Sequence, residues 1–342
     1  MSEHHLNNKK IVWQFFRDLD AAEPSDIKQV LAKYCHEDVV WEIFYPFNTL
    51  QGIDRAADRF WAPLKESIPD LERRPDIHIA GSYKDTDWVS AMGYFVGTFF
   101  NPWLKIPATA NLIYLRIGEN YALQDGKIAR AYVLLDIIDV MRQVGVNPLR
   151  RSPGSPELVP GPATHDGICL TLHDDELGAK TMVTVLEMQE GLPKFDGVRI
   201  VTGKHSPHWH PNMMWYGPTG IGSCRGQKGF RDFHGVPFLT AFPDRGSKGT
   251  PGHYIRIGDG RFAVTSGWPS LKATHLGGGW LGLPPSGRPV EMRVADWYRA
   301  DDDGLLIENW VMIDILHMLS QFGLDVLEEM DISLHPDRPR SR

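Results

Sequence analysis

Apolar positions near the start of the chain recur at helical spacing. Ile11, Val12, Phe15, Phe16 and Leu19 fall on one face, and Ile27, Val30, Leu31 and Tyr34 form a second such stripe. Two opening helices are predicted. Further on the period shortens to that of strands: residues 87–100, 260–268, 290–299 and 305–313 are rich in aromatic and β-branched residues. Asp125-Gly126 and Asp303-Gly304 are hairpin turn signals between the last strands. Helices first and antiparallel strands afterwards predict an α+β domain.

The pattern occurs twice. Asp136 to Gly145 (Asp-Ile-Ile-Asp-Val-Met-Arg-Gln-Val-Gly) returns 178 residues later as Asp314 to Gly323 (Asp-Ile-Leu-His-Met-Leu-Ser-Gln-Phe-Gly), and Gly126 and Gly304 share that offset. Trp41, Gly52, Pro63 and Pro69-Asp70 recur 174 later as Trp215, Gly226, Pro237 and Pro243-Asp244. Trp103-Leu104, Pro107 and Arg116 recur 177 later as Trp280-Leu281, Pro284 and Arg293. Offsets that drift this little over so long a period mark a duplicated domain, since solenoid units run about 20–50 residues. Between the halves, residues 147–163 carry prolines that deny both helix and ladder hydrogen bonds. The expected organisation is a domain at 1–148, a stiff linker at 149–166 that forms an ordered strap, and a domain at 167–335.

Composition narrows the function. The 342 residues, 42% hydrophobic and 23% charged, suffice for two cores, and a net charge of −7 argues against a surface that tracks nucleic-acid phosphates. Cys35, Cys169 and Cys224 are too few and too scattered for a disulfide framework. The first residues lack the apolar core of a signal peptide and no stretch approaches a membrane span, so a cytoplasmic protein is expected.

The run Gly278-Gly-Trp-Leu-Gly-Leu-Pro-Pro-Ser-Gly-Arg288, then a strand, an Asp-Gly turn, Glu308-Asn-Trp310 and Asp314 through Gly323, resembles the SnoaL-like polyketide cyclase family. The resemblance covers most of both halves, the second more clearly. It implies two tandem cones of the ketosteroid isomerase and nuclear transport factor superfamily, each a curved, mostly antiparallel sheet wrapped around helices with a pocket inside. It also implies chemistry without metal or organic cofactor, in which a pocket histidine and aspartate close a ring. Here the aspartate position is Val311, matched by Val133, and the histidine position is Asp296, matched by Glu119. The aldol-cyclase pair is therefore absent.

Other candidates take its place. Residues two apart on a strand face the same way, so Asp296 joins Tyr298 and Glu119 joins Tyr121. Inside a cone each is an acid beside a phenol; with the opposite strand phase each faces solvent. Asp136 and Asp314 each precede a helical pattern and suit a helix N-cap as well as an acid–base role. His317, three residues after Asp314, is a candidate partner for that acid. The second half is much richer in histidine, with His205, His208, His210, His234, His253, His275 and His317, so the first cone reads as the degenerate one. His275 precedes the Gly277-Gly-Gly279 loop, which lacks the Lys-Ser/Thr of a phosphate loop and reads as a pocket mouth.

The expected pocket lining is Trp215, Phe230, His234, Trp280 and Trp310. His208 and His210 offer a metal-dependent alternative if that segment is extended. The leading expectation is a cofactor-independent isomerase, lyase, cyclase or hydrolase acting on a hydrophobic small molecule that bears carbonyl or hydroxyl groups. Asp296, or Asp314 with His317, moves a proton while Tyr298 and His275 polarise oxygen. The rival is a non-catalytic binder or assembly module whose paired cones form an internal pseudo-dimer. A homodimer through exposed sheet faces is also left open.

Overall fold

The computed structural model describes residues 2–173, 175–191, 207–245, 252–277 and 280–337. Helices α1 (Glu3–Ala21) and α2 (Ile27–Tyr34) open the first half, where the periodicity places them. Ser2 caps α1 by accepting from the His5 N–H, and Val12, Phe15, Phe16 and Leu19 form its buried face. Strands β1 (Cys35–Ile43) and β2 (Asn48–Gln51) follow, then short helices α3 (Gly52–Ala56) and α4 (Ala62–Ser67) joined through a π turn at Ala57–Trp61. Strands β3 (Glu72–Tyr83), β4 (Thr86–Thr98), β5 (Leu112–Gln124) and β6 (Lys127–Leu135) and helix α5 (Ile137–Gln143) complete it.

The second half repeats this order. It runs α6 (Glu176–Gly191), β7 (Trp209–Tyr216), β8 (Ser223–Arg225), α7 (Gly226–Phe230), a π turn at Arg231–Gly235 and α8 (Val236–Ala241). Strands β9 (Ile255–Asp259), β10 (Phe262–Thr274), β11 (Pro289–Ala300) and β12 (Leu306–Ile313) and helices α9 (Ile315–Phe322) and α10 (Val326–Leu334) finish it. The two sheets have matching orders, β2-β1-β6-β5-β4-β3 and β8-β7-β12-β11-β10-β9. In each, one parallel pair (β1 with β6, β7 with β12) interrupts an otherwise antiparallel ladder. The duplication is therefore structural, and the π turns lie 174 residues apart, the offset of the surrounding landmarks.

One face of each sheet wraps its own helices, and the opposite faces pack on each other. Ile77, Ile79, Trp88 and Met92 of the first sheet form one core with Ile257, Val264, Ala295 and Trp297 of the second. Trp297 fits only because its opposite is Gly118, where a Cβ would come within 2.3 Å of the indole, and its Nε1 donates to Ser90 at 2.8 Å. The sheet faces expected to receive a second copy thus cover one another within one chain. The proline-rich linker lies over both sheets: Val159 exchanges hydrogen bonds with the Tyr94 hydroxyl, Trp310 Nε1 donates to the Pro160 carbonyl, and Ala163 N–H donates to Glu308.

Asp136 and Asp314 stand at this seam in reciprocal roles. Asp136 caps α5 through the Asp139 N–H and reaches the other half to accept from Thr219 N–H and Oγ1 at 2.9 and 3.0 Å. Asp314 caps α9 through the His317 N–H at 3.1 Å and accepts from Tyr45 N–H at 2.9 Å and Arg293 at 3.1 Å. Thr219 and Tyr45 are themselves 174 residues apart. Replacing Asp314 by Ala removes a cap, takes the facing carboxylate from Arg293 and strands the Tyr45 amide of the other half. A loss of about 2–4 kcal/mol is expected, read from the urea midpoint at constant slope; a loss below about 1 kcal/mol would contradict this role.

Candidate functional site

The cone interiors differ at matching positions. In the first, Glu119 is fully buried and held by Arg73, whose Nε and NH2 donate to its two oxygens at 3.0 and 3.1 Å. Tyr121 donates to the same carboxylate at 2.7 Å, and Asp20 takes a third Arg73 bond at 2.8 Å. The guanidinium lies 4.1 Å from the Phe16 ring centre, under Trp61 and Phe95. Burial works against the Arg73 cation, but Glu119 and Asp20 more than offset it and raise its pKa. This cone is filled, with its acid neutralised.

Aligning the halves by strand register and helix burial shows what the second cone has in place of these groups. Phe16 becomes Gln189, since an offset of 173 carries the buried Asn8, Val12 and Phe15 of α1 onto the buried Thr181, Val185 and Met188 of α6. Trp61 becomes Gly235 in the matching π turn. Ala91, opposite Glu119, becomes Thr265, opposite Asp296; Ala131 becomes Asn309. The β-register that matches Ile77 and Ile79 to Ile255 and Ile257 carries Arg73 in sequence onto the uncharged Thr250-Pro251. The second cone has thus lost a tryptophan and a phenylalanine ring and gained polar side chains.

Tyr298 packs against α6 in this cone, and Asp296 lies two positions before it on the same face of β11. Tyr298 is buried with Val185 and Met188 of α6 and receives a bond from Gln189 Nε2 at 3.4 Å; the same amide donates to Thr265 Oγ1 at 2.8 Å. Asp296 is half-buried and receives Asn309 Nδ2 at 3.4 Å, with the Tyr298 hydroxyl also bonded to it. No cation among the described residues pairs with it. Burial pushes its carboxyl up to about 7, and the bonds from Asn309 and Tyr298 offset only part of that rise. Tyr298 is raised well above the usual phenol range, first by burial and then by the Asp296 charge, so it stays a donor at neutral pH.

The remaining candidates lie elsewhere. Trp215, the cross-strand neighbour of Asn309, stacks on His234 at 4.4 Å with Phe230 at its edge. His275 is fully buried and stacked on Phe322 at 4.2 Å, beside Phe242, which also meets Trp280. It pairs with Arg288, eight strand positions from Asp296 along β11, about 26 Å, so the two do not share a reacting atom. Burial lowers the pKa of His275 and takes His234 down to about 3, leaving both neutral. His275 Nε2 and His234 Nδ1 are buried without a hydrogen-bond partner among the described residues.

Several expectations need correction on geometry. Asp314 and His317 meet through a capping N–H, while the His317 ring faces Gln321 at 3.2 Å and burial takes its pKa down to about 4. Asp136 and Asp314, each pushed up to about 6 by burial, belong to the seam rather than to either cone. Trp310 is also a seam residue, stacked on Tyr216. Glu119 and Tyr121 are bound into the Arg73 cluster. His208 lies 3.6 Å from Glu187 and the His210 ring accepts from the Asn212 N–H, while no group of three or more metal-ligating side chains occurs among the described residues. His205, Gly278 and Gly279 lie outside the described residues. A surface cleft of about 460 Å³, lined by Phe47, Arg59, Glu66 and Trp103, does not touch Asp296. Gln189, Thr265 and Asn309 were not legible as site residues, although aligning the halves position by position marks each as a polar replacement.

No helix among the described residues is long and apolar enough to cross a membrane. The SnoaL-like domain family matches residues 14–131, in the first half rather than the second, where the motif resemblance is clearer. A search of curated proteins returns no match. Among solved structures, similar chains include a candidate SnoaL-like polyketide cyclase from Jannaschia sp. CCS1 (20% identity, 42% of this chain and 95% of that one, TM-score 0.36). Others are IdmH, a candidate polyketide cyclase from Streptomyces antibioticus (22%, 42% and 99%, 0.33), and a ketosteroid isomerase-like protein from Catenulispora acidiphila (13%, 40% and 92%, 0.31). The chain carries a SnoaL-like domain at residues 14–131, and its second half repeats the same α+β plan in tandem.

Proposed function

We propose that the second cone is a cofactor-independent acid–base site for a hydrophobic small molecule bearing a carbonyl group. The observation that carries this reading is the contrast at one position: Glu119 is neutralised by a buried arginine, while Asp296 has no cation among the described residues and titrates near neutral pH. A carboxylate poised there can both take and return a proton, which a salt-bridged one cannot. In the proposed step Asp296 removes a proton from the carbon next to the carbonyl, and the Tyr298 hydroxyl donates to the oxygen as negative charge develops. Gln189, donating to the Tyr298 oxygen, orients that hydroxyl. The apolar Val311 lies opposite the acid on β12. Isomerisation, ring closure and elimination share this first step, so the site is consistent with each.

The test needs no knowledge of the product. Hydrophobic cyclic and aromatic ketones are incubated with the protein in heavy water, and exchange of the carbon-bound proton is followed by NMR. Wild-type protein is expected to catalyse exchange for a subset of them, and Asp296→Asn to lose it. Saturable ligand binding without exchange would instead support the non-catalytic binder, and exchange undiminished in Asp296→Asn would remove the assignment.

A further inference from the structure

Where the strap leaves the first half, it brings Cys169 and His173, four residues apart, to a carboxylate 86 residues beyond His173. His78 N–H donates to the Gly167 carbonyl at 2.8 Å and fixes the strap against β3. Two residues on, partly exposed Cys169 places Sγ 3.6 Å from His173 Nδ1, and His173 Nε2 lies 2.5 Å from Asp259 Oδ1. Asp259 is in turn fixed by the buried Lys9 ammonium of α1 at 2.9 Å and the Ala80 N–H at 3.1 Å. The order is thiol, imidazole, carboxylate, with the thiol on the Nδ1 side of the ring and the carboxylate on the Nε2 side.

We propose that Cys169, His173 and Asp259 form a nucleophilic thiol site, separate from the second cone, that adds to soft carbon electrophiles of the α,β-unsaturated carbonyl class. Besides the thiol, His173 Nδ1 faces the Thr171 carbonyl at 3.1 Å, so both ring nitrogens face acceptors and a ring satisfying both donates from both. When protonated, such a ring places a cation beside the sulfur, the setting that favours a thiolate. Thr171 Oγ1 at 3.3 Å bonds the sulfur and holds the thiol below its usual range, with His173 and Lys9 adding to the effect. Among the described residues, charged and titratable groups around the site include His173 on the strap, Lys9 on α1, Asp259 on the β9–β10 hairpin and His78 on β3, which burial takes down to about 4 and keeps neutral.

The electrophile class follows from the groups present. Conjugate addition needs a thiolate and one proton donor. Sulfur forms the bond to the β-carbon, the C=C pair moves to the α-carbon, and the His173 proton closes the addition, so no oxidant or leaving group is required. Acyl transfer would also need a set of donors for an oxyanion.

The full-length protein is treated with N-ethylmaleimide from about pH 5.5 to about 9, and adducts at each cysteine are quantified by peptide mass spectrometry. Near pH 6, Cys169 is expected to react about tenfold or more faster than cysteine in an unstructured peptide. In His173→Ala this advantage is expected to fall about tenfold and to vanish near pH 9, where any thiol ionises. Cys35 and Cys224, buried and pushed up to about 12, report folding by staying unmodified in both proteins. A wild-type profile matching the peptide overturns the proposal whatever the variant does, and so does an unchanged profile in a folded His173→Ala. Neither result bears on exchange at Asp296, so the two readings stand or fall separately.

Discussion

Glu119→Gln is expected to destabilise the protein by about 3–5 kcal/mol, because it leaves the Arg73 cation buried with half its partners. Arg73 is 1% exposed and cannot shed its proton, so it has no route to neutrality once the facing charge is gone. Asp20, the remaining carboxylate, is 23% exposed and meets a single guanidinium nitrogen. The amide introduced by this substitution would also turn an N–H toward Arg73 or lose the bond from Tyr121. The double replacement Arg73→Met with Glu119→Leu is expected to recover most of the loss, since a buried ion pair exchanged for apolar groups of similar volume is often neutral or better. Guanidinium denaturation of the two single variants and the double variant measures the coupling. A cost below about 1 kcal/mol for Glu119→Gln would mean that the pair is not the stabilising core of the first cone.

Asp296→Asn is expected to behave in the opposite way, making the protein more stable and less active. An aspartate that titrates near 7 when folded and near 3.9 when unfolded keeps its proton in the native state after the unfolded chain has lost it. Wild-type stability therefore falls as pH rises from about 4 to about 7 and stays low above that, as far as this group is concerned. Asparagine cannot ionise. The advantage of the variant should be near zero at about pH 4 and reach about 1–3 kcal/mol at about pH 8, after discounting for the partial solvent access of Asp296. Proton-exchange turnover should fall by about 100-fold or more, and the wild-type rate should rise through about pH 7 as the base ionises. Thermal unfolding across this range, run beside the NMR assay, checks both signs. A variant that loses stability would show Asp296 to be a structural acid.

The elements legible in the sequence were those with a period or a punctuation mark. The face of α1 appears as Val12, Phe15, Phe16 and Leu19, and the hairpins as Asp-Gly turns. The inward pairing of Asp296 with Tyr298 needed only the two-residue strand period, though its phase could not be set before the sheet was seen. The environment of the acid was harder to read. Gln189 and Asn309 are single polar residues in apolar runs, and they gain meaning only when aligned with Phe16 and Ala131 of the other half. Asp314 followed three residues later by His317 looks like a tuned pair, yet the same spacing is that of a helix cap, and the backbone N–H takes the carboxylate. Cys169, His173 and Asp259 carry no local pattern, because the imidazole and its carboxylate are 86 residues apart.

The seam between the sheets also explains how two such different cones coexist. In a homodimer built on these faces, every substitution is made twice, so a change that neutralised one pocket would neutralise both. Covalent duplication removes that constraint. It also makes assembly of the pair independent of protein concentration, since each sheet meets its partner at the effective concentration set by a docked strap. One copy could then take on a buried Arg73–Glu119 pair and large rings, while the other kept an acid that no cation among the described residues pairs with. A buried acid in one half can then be tolerated without imposing the same change on the other.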